Sequence, residues 1–572
     1  MDLITINGSR ILLETLHRLG VTDIFGYPGG CVIPIYDEIF KYDKIKHYFS
    51  RHEQGAAHEA DGYARASGKV GVCLATSGPG ATNLVTGIMT AHMDSIPLLA
   101  ITGQVGLSML GKDAFQESDI VGITLPITKM SYLVTDIRDL PRIIKEAYYL
   151  ASTGRPGPVL IDIPKNIQLH DMLYKEYEEL YNKEIKLEGY VPTYKGHPKQ
   201  IKTAIALIKE AKKPLIIAGA GVLKSGANKE LAEFVQKTKI PVTTTLLGLG
   251  VFPSDHELSL GMLGMHGTVP ANYATVEADV VIAIGIRFDD RITGNPEKFC
   301  SNAQIIHIDI DPAEIGKNKK IDVPIVGDVK NVLTNFNNSI WDMEHQEWIA
   351  QITEWKKDFP MAYGESVEGR LMPQEVLEVL NKIVKGNAII ATDVGQNQMW
   401  AAQFLSFNEP NTIITSGGAG TMGYGIPAGI GAQVAKPNEK VIVVVGDGGF
   451  QMTCHELMLI KQYNLPIKVL IINNSYLGMV RQWQEIFNER RYSFVDLSIN
   501  PDFNKIAEAY GLKSVTIETR EQLNQELRDL IESDEAVIIN CIVEKEANVF
   551  PMIPAGTCVS NIVGIRGVID NE

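Results

Sequence analysis

Short apolar runs, many ending at Gly, Asp or Asn, recur along the chain with helical patterns between them. They fall at 70–76, 97–103, 158–164, 214–221, 279–287, 304–311, 388–393, 441–446, 468–474 and 536–543. Near-continuous Val, Ile and Leu over so few residues suits parallel strands buried on both faces. Helices between such strands make βαβ units, so the pattern predicts an α/β fold of doubly wound, mainly parallel sheets. The first helix is readable: Ser9 is placed to cap it, Ile11, Leu12, Leu16 and Leu19 form one apolar stripe, and Gly20 ends it.

At about 150 residues per domain, 572 residues suggest about four domains. Two interruptions reduce this to three. Residues 171–200 are dense in Lys, Glu and Tyr and hold Pro192 and Pro198, and 341–373 carry Trp341, Trp348 and Trp355 among charges. Both read as connections, partly helical. The expected division is a domain at 1–170, a linker at 171–195, a domain at 196–340, a linker at 341–372, a domain at 373–545 and a tail at 546–572.

Composition excludes several classes. A net charge of −15 disfavours nucleic-acid binding, which needs a basic surface to neutralise phosphate. No apolar run approaches the roughly 20 residues that span a bilayer. The start, MDLITINGSR, lacks a basic region followed by an apolar stretch, so no secretory signal is expected. Cys31, Cys73, Cys300, Cys454, Cys541 and Cys558 form no CxxC pair, which signals neither a zinc site nor a disulfide framework and suits a reducing cytoplasm.

The most informative stretch is 441–474. The run VIVVV leads into Gly446-Asp447-Gly448-Gly449, a helical segment follows, and IKVLII ends at Asn473-Asn474. A right-handed crossover puts both strand ends on one edge of a parallel sheet. The glycines let backbone approach a phosphate, while the Asp447 carboxylate and Asn474 amide oxygen are hard ligands suited to octahedral Mg²⁺. GDG alone is a common turn, but two strand-terminal ligands at this spacing resemble the thiamine diphosphate (ThDP) motif. That resemblance makes the Tyr476 carbonyl a third protein ligand.

Further motifs extend it. On its own, Glu53 in RHEQGA (51–56) reads as an exposed carboxylate in a helix's first turn. The motif resembles the one whose Glu hydrogen-bonds the cofactor's aminopyrimidine and exchanges a proton with it. The glycine-rich stretch 416–431 resembles the family's cofactor-binding segment, with Gly420 in contact and Met422 as the wedge beneath the bent cofactor. Gly395, Gln396, Gly446, Gly448, Gly449 and Met479 are placed at the cofactor by the same match. Asn397 stands where His is usual.

GMLGMHG (261–267), RFDDRITG (287–294) and DAFQE (113–117) resemble acetohydroxyacid synthase (acetolactate synthase) catalytic subunits, and the match runs from YPGG (27–30) to PMIPAG (551–556). It implies FAD in the middle domain, held through Gly219, Gly221, His266, Gly285, Arg287, Asp289, Asp309 and Asp328. It places Gly30, Gln116, Lys165 and Phe115 at the reaction centre or its channel, and assigns Arg291 to the acceptor's carboxylate. Trp483 matches the tryptophan that favours 2-oxobutyrate over pyruvate. Gly106 and Cys31 replace the usual Pro and Ala at the channel mouth, from which an altered response to sulfonylurea-type inhibitors is expected. The implied reaction is decarboxylation of pyruvate on ThDP, then condensation of the hydroxyethyl carbanion with pyruvate or 2-oxobutyrate, in branched-chain amino acid synthesis. A homodimer or tetramer, a small regulatory subunit and a cytoplasmic setting are further expectations. An FAD-free catabolic relative, a membrane-associated pyruvate oxidase and a non-catalytic paralogue remain as alternatives.

Overall fold

The computed structural model describes residues 4–366 and 369–566. It contains three six-stranded sheets, all parallel, and a two-stranded antiparallel ribbon that joins Thr5–Asn7 to Asp171–Leu173. The first sheet runs Lys46–Phe49, Asp23–Gly26, Gly71–Ala75, Leu98–Gln104, Pro158–Pro164, Met130–Leu133. The last runs Ile413–Ile414, Ile389–Thr392, Val441–Gly446, Lys468–Asn473, Val537–Ile542, Lys513–Ile517. Renumbered within each domain, both have strand order 2-1-3-4-6-5. The middle sheet runs Ser259–Met262, Val242–Thr244, Pro214–Ala218, Val280–Ile284, Gln304–Asp309, Val323–Val326. Its order, 3-2-1-4-5-6, is that of dinucleotide-binding doubly wound sheets. The central strands are wholly buried, as in Val441–Val445 and Val280–Ile284, where every side chain lies in the core. The expected fold class is therefore the one observed.

One expectation needs correction, and the two connecting segments gain structural detail. Ser9 does not cap the first helix, Gly8–Arg18. The cap is Asn7, whose side chain accepts from the Arg10 N–H, while Ser9 is buried within the helix and donates to the Gln168 carbonyl. An Asx side chain two residues earlier satisfies the free N–H groups equally well. The start of the supposed first linker is structural: Asp171–Leu173 pairs with the N-terminal strand, and helix Tyr174–Tyr181 buries Tyr177 in the N-terminal core. In the second, helix Gln346–Asp358 packs Trp348 and Ile352 into the middle domain, and the Trp348 indole donates to the Pro214 carbonyl.

The N- and C-terminal domains meet along two helices, Glu53–Ser67 and Gly425–Ala435. A Cβ on Gly62 would collide with the Ala428 backbone, and one on Gly431 with the Glu59 backbone. Glycine lets the two backbones touch. Beside them, Arg65 forms ion pairs with Asp61 and Asp94, and the Tyr424 hydroxyl donates to Asp61. Asp94 also accepts the N–H groups of Gly417 and Gly418 at 3.0 and 2.7 Å. Burial of these charges is compensated because each is paired and hydrogen-bonded. The chain after 545 returns over the C-terminal core through Ala547 and Val549, then reaches the middle domain where the Ile553 N–H donates to the Met265 carbonyl.

Candidate active site

In an open α/β sheet the carboxyl ends diverge at the point where strand order reverses, leaving a crevice. Each domain has one such point, and the predicted residues gather at all three.

In the C-terminal domain it lies between strands Ile389–Thr392 and Val441–Gly446. Asp447 follows the second of these, and Asn474 follows the adjacent strand Lys468–Asn473. Asp447 is buried, with one oxygen accepting from the Asn500 amide at 2.7 Å, and burial raises its pKa to about 6. A carboxylate held this way favours a cation beside it. The Asn474 amide oxygen accepts the Tyr476 N–H at 3.2 Å, and its NH₂ donates to Gln396. Among the described residues no group of three His, Cys, Asp or Glu side chains is poised for a metal. A carboxylate and an amide oxygen are hard oxygen donors of the kind Mg²⁺ shares with phosphates. Gln396 also donates to Gln482 and the Ala547 carbonyl, so its side chain braces Asn474. Asn397 donates to the Asp393 and Val444 carbonyls, which fills its hydrogen-bonding role within the fold.

Gly446, Gly448 and Gly449 wall this edge. Gly449 lies against the Asp393 carboxylate, and the Met422 methyl is 3.7 Å from where a Cβ on Gly448 would stand. Asp393 was not singled out from sequence, although its apolar run ends on it. It accepts the N–H groups of Val394, Gly423 and Gly425, which shapes the loop carrying Met422. Asn500 sits in an irregular loop, and no motif marks it.

In the N-terminal domain, Glu53 begins helix Glu53–Ser67 beside the crevice between Asp23–Gly26 and Gly71–Ala75. It is only 9% exposed, so its reading as a surface carboxylate does not hold. The Asn83 amide donates to it at 3.0 Å, and Gly80 leaves the space its other oxygen faces. Gly29 backs onto Thr76, whose hydroxyl accepts the Cys31 N–H, and a Cβ on Gly30 would meet nothing. The Gln116 backbone packs against Gly78. Lys165 starts helix Lys165–Leu169 just after its strand, and Phe115 is 87% exposed.

The middle domain's reversal lies between Pro214–Ala218 and Val280–Ile284, at Gly219–Gly221 and Gly285. The Gly221 N–H donates to the Gly285 carbonyl at 3.1 Å, Gly285 has φ 60°, and a Cβ on either would strike the other's backbone. From here a cavity of about 580 Å³ runs toward the C-terminal domain. Gly221, His266, Gly285, Arg287, Asp289, Arg291, Asp309 and Asp328 line it, as do Gly395, Gly420, Met479 and Trp483. Gly219 packs behind that wall on Gly285. Burial lowers the His266 pKa and raises that of Asp309 to about 6. The Arg291 guanidinium lies 5.7 Å from the Trp483 ring, so these two are brought together. Asp289 and Asp328 also cap the helices that follow them. The Arg287 guanidinium donates to the Met93 carbonyl of the N-terminal domain.

Glu53, Gly30, Gln116, Lys165 and Phe115 do not line this cavity. Asp447 and Asn474 do not line it either.

Three family models match the chain in order. The N-terminal TPP binding domain of thiamine pyrophosphate enzymes covers residues 6–123, the central domain 201–336, and the C-terminal TPP binding domain 393–541. The acetolactate synthase large subunit of Lactococcus lactis subsp. lactis is 49% identical over 568 residues, covering 99% of this chain and 97% of its own. That of Porphyra purpurea is 48% identical over 578 residues, with 99% and 97% covered. A probable acetolactate synthase large subunit of Methanocaldococcus jannaschii is 48% identical over 564 residues, with 97% and 95% covered.

Proposed function

Because this chain belongs to the acetolactate synthase large subunits among the thiamine pyrophosphate enzymes, we propose that it joins two 2-oxo acids with loss of CO₂. Pyruvate is the donor. Pyruvate as acceptor gives 2-acetolactate, and 2-oxobutyrate gives 2-aceto-2-hydroxybutyrate, the first shared intermediates toward the branched-chain amino acids. The observation that carries this reading is the pair of strand-terminal oxygen ligands, Asp447 and Asn474, on neighbouring parallel strands at a crevice.

Bound there, ThDP supplies a carbon nucleophile and an electron sink, while FAD, unchanged in the net reaction, serves structurally. Asp447, the Asn474 amide oxygen and the Tyr476 carbonyl would hold Mg²⁺ against the diphosphate. The backbone of Gly446, Gly448 and Gly449 would approach the phosphates, and Met422 and Met479 would support the cofactor's apolar face. Glu53 holds a proton at N1′ of the aminopyrimidine, and its burial keeps water from competing for it. Arg291 binds the acceptor's carboxylate through its planar fork, and the apolar Trp483 face accepts an extra methyl group. The cavity leading from Gly219, Gly221 and Gly285, in a sheet of dinucleotide-binding order, suits FAD, with His266, Arg287, Asp289, Asp309 and Asp328 around it.

The family resemblance implies a homodimer, in which Glu53 of one copy would face Asp447 of the other. A small regulatory subunit and a cytoplasmic setting belong to the same reading. No helix of the described residues is long and apolar enough to cross a membrane. Incubation with pyruvate, ThDP, Mg²⁺ and FAD, then acid conversion of the product to acetoin, tests the activity. Absence of acetoin from folded, cofactor-loaded protein refutes it, and competition with 2-oxobutyrate measures acceptor preference.

A further inference from the structure

The turn before Glu53 is held from outside its own domain. Glu456 ends the one-turn segment Cys454–Glu456, which continues helix Asp447–Thr453 of the C-terminal domain. Its side chain is fully buried. One carboxylate oxygen accepts the Arg51 N–H at 2.9 Å and the other the His52 N–H at 3.0 Å. These are the two backbone donors that precede Glu53. The same face of the C-terminal domain supplies Gln462, which accepts from the Arg51 guanidinium at 2.7 Å, and the Tyr463 hydroxyl, which accepts the Phe49 N–H at 2.8 Å. Gly55 completes the fit, since a Cβ there would collide with the Glu456 carboxylate.

We infer that Glu456 is a positioning residue for Glu53: by clamping the backbone at Arg51 and His52, it sets where the Glu53 carboxyl stands. The inference rests on the role proposed above for Glu53. The charged and titratable groups facing the Glu456 carboxyl are Arg51, His455, whose ring nitrogen is 3.5 Å away, Glu59 and Tyr510. Glu59, farther along the Glu53 helix, is fully buried, with one oxygen accepting from Ser50 and the other without a partner. Burial and the neighbouring Glu456 raise its pKa well above the usual carboxylate range. Burial also raises the Glu456 pKa, to about 7, although its two N–H donors pull the other way, so Glu59 keeps its proton and Glu456 is the one of the pair that ionises first. An ionised acceptor makes the stronger hydrogen bonds and so the stiffer clamp.

The test is deuterium exchange at the thiazolium C2 of bound ThDP in the loaded enzyme, measured with kcat, the KM for pyruvate and the affinities for ThDP and Mg²⁺. Glu456→Gln turns part of the acceptor into a donor facing N–H groups. It should slow exchange and kcat together by on the order of 100-fold, the cost of misplacing a reacting group by an ångström. KM and both cofactor affinities should stay at wild-type values. Gly55→Ala reaches the same end by displacing the carboxylate, although alanine ordinarily favours a helix. Wild-type exchange in either folded variant overturns the inference, as does a loss that only follows weaker ThDP binding. Glu53→Gln is the control: if it too exchanges at the wild-type rate, the role of Glu53 has failed instead.

Discussion

The first and last domains share one topology, 2-1-3-4-6-5, yet their carboxyl edges carry different chemistry. After its third strand the C-terminal domain places Asp447, and after its fourth Asn474. At the corresponding end of the third strand the N-terminal domain has Thr76, followed by Ser77, Gly78 and Pro79, and its one buried carboxylate at the crevice, Glu53, comes from the helix after the second strand. One edge is built for a cation and phosphates, the other for a single proton. The sheet fixes where ligands gather, and the residues just past the strands decide what they are.

This contrast can be broken by substitution. Glu53→Gln should lower kcat for acetolactate formation by roughly 100- to 10,000-fold with the melting temperature unchanged, the scale of a lost proton-transfer group. A near-wild-type rate would remove the N-terminal edge from the chemistry. Asn500→Ala, which strips Asp447 of its partner, should weaken Mg²⁺ binding by roughly 10- to 100-fold in a titration, whereas Thr76→Val on the other edge should leave it unchanged. The pH dependence follows from Asp447. Its folded pKa, about 6, lies above the unfolded value, so in the metal-free chain its contribution to stability declines as pH rises from the ordinary carboxylate range through about 6. Mg²⁺ reverses that loss. Apparent Mg²⁺ affinity should in turn fall by about tenfold for each pH unit below that pKa, as protons compete for the ligand.

The middle domain offers smaller effects. Gly221→Ala forces a Cβ onto the Gly285 backbone and should cost about 1–3 kcal/mol in chemical denaturation, with less flavin retained on purification. Trp483→Leu should shift the acceptor ratio toward pyruvate by about 1 kcal/mol, the worth of one methylene contact. An unchanged ratio in a competition assay would move acceptor selection elsewhere.

Legibility followed burial and length together: Asp23–Gly26 and Val242–Thr244 are buried inside their sheets but too short to stand out as apolar runs. Every apolar run singled out is a strand, and those strands lie at or near the middle of their sheets. Lys46–Phe49, Met130–Leu133, Val323–Val326 and Lys513–Ile517 were not read. They are edge strands, partly exposed, so only part of their sequence is forced to be apolar. Asp447 and Asn474 were readable because a strand, a glycine turn and a second strand lie close together in sequence. Glu456, Asp94 and Asn500 were not, because each acts on a partner 53 to 405 residues away and no local pattern records such a pairing.

The backbone contact between Glu53–Ser67 and Gly425–Ala435 has a calorimetric consequence. Helices touching at Gly62 and Gly431 cannot slide or part without exposing buried ion pairs, so the domains at opposite ends of the chain should melt as one cooperative unit. The middle domain, joined to them by hydrogen bonds and a returning tail, is the part free to unfold as a separate endotherm.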